Sequence, residues 1–184
     1  KMRKVRILNG AHTSMVLAAR LYGLSTVGEC LKDEQVSALL KKTLSQEIIP
    51  TLGGSEEDKA FGDAVLERFA NPFVKHQLLS IALNSVSKWR ARVLPTVLEY
   101  RDKFGTLPKC LTMSLAALIA FYRTDEANDG EEITAFMKTA TPAQILSRAD
   151  YWGEDISFML PKIKKTLAII NDGGMKAYYS EALS

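Results

Sequence analysis

The sequence predicts an all-α protein, and three observations support that fold class. Apolar residues recur at the helical spacing of three to four positions along most of the chain. Candidate N-caps and glycine stops bracket these periodic stretches. The alternating runs that indicate half-buried strands do not persist beyond the first ten residues. Because 47% of the 184 residues are hydrophobic and 24% are charged, we expect one folded domain over residues 1–184 rather than a disordered chain.

The first half of the chain predicts three helices. Residues 33–50 have an acidic first turn, apolar positions at helical spacing and a terminating proline, Pro50. Residues 55–68 open with a serine N-cap and three acids, which suit the positive end of a helix. The longest helix is expected from Asn71, as N-cap, through a kink or an end at Pro95 to a stop at Gly105.

The second half predicts a buried helix and several shorter elements. Residues 110–122 are so apolar that we expect a central, buried helix. The polar, turn-rich segment 124–131 predicts a variable surface loop. Thr141 is a candidate cap of a short helix, and two final helices are expected over 156–172 and 174–182, separated by a glycine pair.

Composition argues against several classes of function. The net charge of +3 is spread along the chain without a dense basic stripe, so a nucleic-acid partner is not expected. The longest apolar runs are about a dozen residues, which is too short for a membrane span. Cys30 and Cys110 stand alone in the sequence, which favours a reducing, cytoplasmic setting. Because the chain begins at Lys1 and a motif follows at once, we expect it to be a fragment of a longer protein.

Three polar residues near the start could carry chemistry. On a regular helix, Lys4, Asn9 and His12 could converge on one side. A lysine acts as a general base when burial lowers its pKa, and Asn and His donate hydrogen bonds to an oxygen that gains negative charge. A lysine at the rim, an asparagine cap and a histidine in the core would give the same pattern, so the spacing alone leaves both interpretations open.

The pattern Lys-x-x-x-x-Asn-x-x-His resembles the signature of the mannitol dehydrogenase family, the polyol-specific long-chain dehydrogenases. The longer motif KVRILNGAHT is similar to the branch of this family that interconverts D-altronate and D-tagaturonate. The resemblance covers most of the first 123 residues. Its further motifs are TVGE at 26–29, EIIP at 47–50, RFANPFVKHQLLSIALNSVSKWRARVLP at 68–95 and TLPKCLTMSLAALIAFYR at 106–123.

The resemblance implies the helical C-terminal, catalytic and substrate-binding domain of an NAD-dependent dehydrogenase that acts on a CH–OH group. In such enzymes an N-terminal Rossmann domain binds NAD, and the glycine-rich GxGxxG turn of that domain is absent from this sequence. We therefore expect no cofactor-binding residues here, little activity in isolation, and two partners: its own N-terminal Rossmann domain and a small sugar acid.

The resemblance also implies roles for single residues. Lys4 matches the general base, and Asn9 and His12 match groups that bind and polarise the reacting oxygen. Lys88 lies where the family carries a basic residue that contacts substrate, although the preceding Asn-Ser-Val at 84–86 departs from the usual Asp-Gly-Ser. Ser80 stands where mannitol-type relatives have an arginine, which argues against mannitol as the simple substrate.

A second group of site residues is predicted on the long helix. His76, Ser80 and Lys88 lie near one stripe of that helix, so we expect them to bind substrate. The carboxylate of altronate needs donors or cations, which His76, Lys88 or Arg92 could provide. A solvated basic face is the alternative for Lys88, Arg90 and Arg92. No metal site is expected, because His12 and His76 lack a carboxylate or cysteine at close helical spacing.

Two alternative functions stay open at this point. Another polyol dehydrogenase, of mannitol or fructuronate type, would share the motif and differ in pocket shape. A stand-alone helical module that binds a protein partner would also show an apolar helical surface.

Overall fold

A computed structural model of the chain describes residues 1–73 and 75–184, and it confirms the all-α fold class. Within this part of the chain the backbone forms helices and, outside them, one isolated β-bridge between Thr26 and Gln77. The α-helices are α1 (Gly10–Leu21), α2 (Val27–Lys32), α3 (Glu34–Thr43), α4 (Glu56–Phe69), α5 (Leu78–Ile81), α6 (Ser85–Arg92), α7 (Leu94–Phe104), α8 (Lys109–Tyr122), α9 (Glu131–Thr139), α10 (Pro142–Leu146), α11 (Ala149–Trp152) and α12 (Leu160–Leu183). Two π-helices, Lys4–Asn9 and Leu44–Ile48, and two 3₁₀ segments, Ile49–Leu52 and Ser157–Met159, complete the helical structure. Among these helices none is both long and apolar enough to cross a bilayer.

Helix α8 lies at the centre of the fold, as its near-continuous apolar sequence predicts. All of its residues except Lys109 and Ala120 are buried. It packs against α1 on one side and α12 on another. A helix that is apolar around its whole circumference must be covered on all sides, and these two helices provide most of that cover.

The buried start of α8 is capped by a carboxylate from a distant part of the sequence. Pro108, at the N-cap position, provides no side-chain acceptor. Glu47, on the second π-helix, accepts hydrogen bonds from the backbone N–H groups of Cys110, at 2.8 Å, and Leu111, at 2.9 Å. Glu47 is itself buried. A negative charge at a helix N-terminus satisfies unpaired donors and complements the helix dipole.

The predicted caps of several helices are confirmed. Ser55 accepts a hydrogen bond from the N–H of Asp58 at the start of α4. Thr141 and Gln144 form a reciprocal capping box on α10. Gly105 adopts a left-handed conformation with φ of 75° and ends α7, as a glycine stop requires. Each of these features is formed by residues that lie close together in the sequence, so the local sequence is enough to predict it.

The prediction of one long helix from Asn71 to Gly105 is wrong. The Asn71 side chain instead accepts from the N–H of Phe73 in a turn, and α5 begins only at Leu78. Asn84, with φ of 54°, then separates α5 from α6. Pro95 lies in the first turn of α7, where a proline is tolerated because that N–H has no helical partner. Val74, which falls within the predicted helix, lies outside the described residues.

Long-range pairing explains why the segment before α5 is not helical. The N–H of Val27 donates to the carbonyl of His76 at 3.0 Å, and the N–H of Leu78 donates to the carbonyl of Ser25 at 2.9 Å. These bonds use backbone groups that a helix would have paired internally. Tertiary pairing therefore overrides the local helix signal.

Two smaller differences concern the ends of helices. Pro50 does not terminate the helix that starts after Asp33, because the chain continues through the second π-helix and a 3₁₀ turn to Gly53, which has φ of 101°. The last two predicted helices form one element, α12, that changes direction at Gly174 with φ of 70°. The glycine pair does interrupt the helix, as predicted, but in α12 it produces a kink rather than a break.

Replacing Glu47 by Gln is expected to lower the free energy of unfolding by about 1.5–3 kcal/mol. The amide keeps one acceptor oxygen, but its NH₂ group faces a backbone N–H, and hydrogen bonds to a charged acceptor are stronger than neutral ones. Urea denaturation measures the change. The matched control is Glu56→Gln at an exposed ion pair, for which we expect a change within about 0.5 kcal/mol. Equal stability of the two variants would contradict the capping role.

Candidate active site

The first predicted motif begins on a π-helix rather than on a regular α-helix. Residues Lys4–Asn9 form this π-helix, and α1 follows directly from Gly10. A π-helix pairs residue i with residue i+5, so Lys4 and Asn9 lie one turn apart on the same face. The regular helical geometry assumed from the spacing is therefore wrong for this segment. The convergence of Lys4, Asn9 and His12 that the regular spacing predicts stays a prediction. Lys4 is exposed and Asn9 is half-buried.

A buried arginine anchors this π-helix to the rest of the protein. Arg6 donates to the hydroxyl of Thr96 at 3.2 Å and to both carboxylate oxygens of Glu99, at 3.1 and 2.7 Å. The same pairing holds the pKa of Glu99 below its usual range, chiefly through the hydrogen bond from Arg6. A two-pronged arginine contact fixes orientation as well as distance, so α7 sets the position of Lys4–Asn9.

Gly10 allows α6 to approach the motif closely. A Cβ atom at this position would lie 3.0 Å from the backbone carbonyl oxygen of Arg92, the last residue of α6. A backbone atom cannot move aside as a side-chain end can. The glycine between Asn9 and His12 is therefore a packing requirement, and sequence spacing gave no sign of it.

His12 is held as a neutral imidazole in a largely apolar setting. Its ring stacks on Phe69, with centroids 4.0 Å apart and planes within 13°, and lies 6.4 Å from the ring of His76. Burial lowers the pKa of His12 to about 4, and the positive charges of His76, Arg92 and Arg68 add to the effect. Its buried Nε2 has no hydrogen-bond partner among the described residues.

Three of the six predicted site residues line a common cavity of about 210 Å³. They are Asn9, His12 and His76, which come from the π-helix, α1 and the segment before α5. Lys4, Ser80 and Lys88 are not among the described residues that line it. The other lining residues are Leu8, Val27, Arg68 and Phe69.

The predicted stripe of His76, Ser80 and Lys88 does not exist as a helix face. His76 precedes α5 and pairs through its carbonyl with α2, Ser80 lies on α5, and Lys88 lies on α6 beyond the left-handed Asn84. The error has one cause, the assumption of a continuous helix. The assignment of these residues to substrate binding stays a prediction.

Lys88 is half-buried and turned toward the chain. Its Nζ donates to the carbonyl of Ile81 at 2.9 Å. Burial lowers its pKa, repulsion from Arg92 lowers it further, and Asp129 acts in the opposite direction. An ammonium group with one carbonyl partner keeps two donors for a ligand.

The loop predicted over 124–131 holds the start of α6. Tyr122 donates to the carboxylate of Asp129 at 2.6 Å and accepts from the N–H of Val86 at 3.2 Å. The N–H of Asn84 donates to the carbonyl of Asn128 at 3.0 Å. Residues 124–130 are indeed a loop, whereas Glu131 begins α9, and the loop bonds to the helix that carries Lys88.

Sequence reasoning missed four residues that line the cavity, Leu8, Val27, Arg68 and Phe69. In the sequence Arg68 is the last residue of the helix predicted over 55–68 and Phe69 follows it, and no role in a site is predicted for either. Their neighbourhood with His12 depends on tertiary packing of α4. The one available signal was the position of Arg68 and Phe69 at the start of the RFANP motif.

Comparison with known proteins gives consistent matches. Residues 1–169 match the mannitol dehydrogenase C-terminal domain. The chain is 40% identical to an altronate oxidoreductase of Pectobacterium atrosepticum and 42% identical to one of Yersinia enterocolitica. In each comparison 96% of this chain is covered, with 42% and 41% of the relative. The chain thus spans about two fifths of the length of these curated relatives.

Two solved structures share the fold. Mannitol 2-dehydrogenase of Pseudomonas fluorescens, in ternary complex with NAD and D-mannitol, superposes with a TM-score of 0.88 at 18% identity, covering 99% of this chain and 40% of that one. A substrate-free D-sorbitol dehydrogenase gives a TM-score of 0.81 at 22% identity, covering 97% and 40%.

Gly10→Ala is expected to lower the free energy of unfolding by about 1–3 kcal/mol, because the added methyl group forces α6 away from α1. Thermal or urea denaturation measures the loss. Gly28→Ala in α2 is the matched control, since its Cβ would meet only the Thr26 hydroxyl at 3.9 Å. There we expect no loss, and a gain of up to about 1 kcal/mol from helix propensity. Equal effects at the two glycines would contradict the close approach.

The buried, neutral His12 predicts a specific pH dependence of stability. The unfolded chain takes up a proton near pH 6.5 and the folded chain only near pH 4, so protonation favours unfolding between these values. Stability is fully retained above about pH 6.5. It falls by about 3 kcal/mol as pH drops toward 4.

Urea denaturation at a series of pH values, with His12→Gln as reference, isolates this contribution, because the variant keeps every other titrating group. A histidine NMR signal assigned to His12 that titrates near pH 6.5 in the folded protein would contradict the burial.

Proposed function

This chain belongs to the mannitol dehydrogenase family as its C-terminal domain, and from that premise we propose that it is the catalytic and substrate-binding part of an NAD-dependent dehydrogenase that interconverts D-altronate and D-tagaturonate. The observation that carries the proposal is the arrangement of the first motif. Lys4 and Asn9 share one face of a π-helix, and that helix leads into a cavity lined by Asn9 and a neutral His12. The identity of about 40% to altronate oxidoreductases supports the choice of substrate.

Lys4 is the proposed general acid and base. In the oxidation direction the hydroxyl proton of the substrate passes to Nζ of Lys4 as the carbon becomes a carbonyl, and NAD, when bound, would accept the hydride that this carbon loses. In the reduction direction the ammonium form returns that proton to the oxygen. Lys4 is exposed on this chain, and in the proposal the N-terminal domain covers it when the substrate is bound.

Asn9 and His12 are the proposed donors to the reacting oxygen. An amide N–H and an imidazole N–H stabilise negative charge that develops on this oxygen. With a pKa of about 4, His12 is neutral near pH 7, so it adds no positive charge that would oppose a proton on Lys4. Its unpartnered Nε2 gains a hydrogen bond when a substrate oxygen enters.

The described residues do not by themselves fit NAD. The cavity of about 210 Å³ lies below the 300–1,000 Å³ of typical drug-sized sites, and no GxGxxG turn occurs in the sequence. We therefore place NAD on an N-terminal Rossmann domain. To this chain we assign only the proton transfer and the hydrogen bonds to the reacting oxygen. The NAD in the complex of the Pseudomonas fluorescens relative supports that choice of cofactor.

The charge around the cavity favours a sugar acid over a neutral polyol. Arg68 lines it, and none of the described residues that line it is acidic. Arg92 lies near enough to lower the pKa of His12 by its charge. A carboxylate on the substrate complements this positive surrounding, whereas mannitol carries no charge to match it.

The test uses the whole protein that contains this chain. We expect it to oxidise NADH in the presence of D-tagaturonate and to prefer that substrate to D-fructose. Lys4→Ala is expected to lower kcat about 10²–10⁴-fold, the usual contribution of a general acid or base. Lys59→Ala, at an exposed lysine on α4, is the control and should keep the parent rate.

Two results would count against the proposal in different ways. Unchanged turnover in Lys4→Ala would contradict the assignment of Lys4 as general acid and base, and it would leave the assignment of the substrate unaffected. A preference for D-fructose, with Lys4 still required, would keep the chemistry and favour a mannitol-type enzyme.

A further inference from the structure

A second cavity, separate from the candidate active site, lies between α8 and α12. Its volume is about 330 Å³, and none of the described residues that line it also lines the cavity at His12. The loop before α8 closes one end of it, with Thr106 and Pro108 in its wall. This size falls at the lower end of the range for small-molecule sites.

Positive charge dominates this cavity. Lys109 comes from the start of α8, and Lys162 and Lys165 come from the first turns of α12. One carboxylate, Glu181, faces them and lies 3.7 Å from both Lys109 and Lys165. Lys162 forms no ion pair within the described residues. Among the side chains that line the cavity, three ammonium groups around one carboxylate leave a surplus of two positive charges. Lys109 also donates to the hydroxyl of Ser184 at 2.8 Å.

A buried hydroxyl lines the same cavity. Thr112 is 3% exposed, and its Oγ1 has no hydrogen-bond partner among the described residues. Thr166, its neighbour across the cavity on α12, instead donates to the carbonyl of Lys162 at 3.0 Å. A buried polar atom without a partner carries a free-energy cost, which a ligand oxygen would relieve.

We propose that this cavity binds the phosphate group of a small phosphorylated molecule. Lysine ammonium groups bind phosphate as point charges, and the hydroxyl of Thr112 provides a donor at the inner wall. Glu181 lies between Lys109 and Lys165, and its single negative charge cannot neutralise both. The site joins the first turns of α12 to α8, so a bound phosphate stabilises the packing of these two helices. The proposal does not depend on the dehydrogenase function.

Inorganic phosphate and glycerol 3-phosphate are the probes, and glycerol is the uncharged control. Isothermal titration measures affinity, and thermal denaturation at constant ionic strength, adjusted with NaCl, measures stabilisation. We expect a rise in melting temperature of about 4 °C at ten times the Kd, and none with glycerol. Binding of glycerol 3-phosphate at least as tight as that of phosphate supports the phosphate monoester, and weaker binding would overturn that choice.

Three variants of the protein separate a built site from diffuse attraction. Lys162→Gln is expected to raise the Kd about tenfold, the effect of losing one charge-assisted contact. Lys164→Gln, an exposed lysine on the same helix that does not line the cavity, should change it less than about twofold.

Thr112→Val should also raise the Kd, without lowering the melting temperature of the free protein, because it removes an unpaired buried hydroxyl. Equal loss in Lys162→Gln and Lys164→Gln, or equal stabilisation by NaCl alone, would overturn the site.

Discussion

The burial of α8 is the constraint on which the rest of the structure depends. A helix with twelve buried residues out of fourteen can exist only if other helices cover it and its first N–H groups find acceptors away from water. Helices α1 and α12 provide the cover, and Glu47 provides the acceptors. Because α1 is fixed on α8, the segment that carries Lys4, Asn9 and His12 is fixed as well. The candidate active site is thus a surface extension of the central core.

The sequence predicted those parts of the fold whose signals are local. The all-α class, the caps at Ser55 and Thr141 and the buried central helix follow from residues within one or two turns of each other, and the structure has them. The long helix from Asn71 failed because partners distant in the chain decide its conformation. Backbone pairing with Ser25 and Val27 competes for the same N–H and C=O groups, and periodicity carries no information about such competition.

The candidate site shows the same division. The motif of Lys4, Asn9 and His12 could be predicted because its members lie within one short segment. The sequence could not predict that His12 stacks on Phe69 or that Arg68 lines the cavity, because α4 reaches His12 only through tertiary packing. The neutral state of His12 likewise depends on its surroundings. Its pKa depends on burial and on charges from α4, α6 and the segment before α5, which the order of residues does not specify.

The π-helix at Lys4–Asn9 ties the spacing of its two polar residues to its winding. In an α-helix two residues five positions apart differ by about 140° around the axis, whereas a π-helix joins residues five apart by its own hydrogen bond and keeps them on one side. Deleting one residue between Lys4 and Asn9 would leave them four positions apart, and α-helical winding would then hold them within about 40° of each other. The extra residue that the π form accommodates can thus be lost without separating Lys4 from Asn9, provided that the winding changes with it.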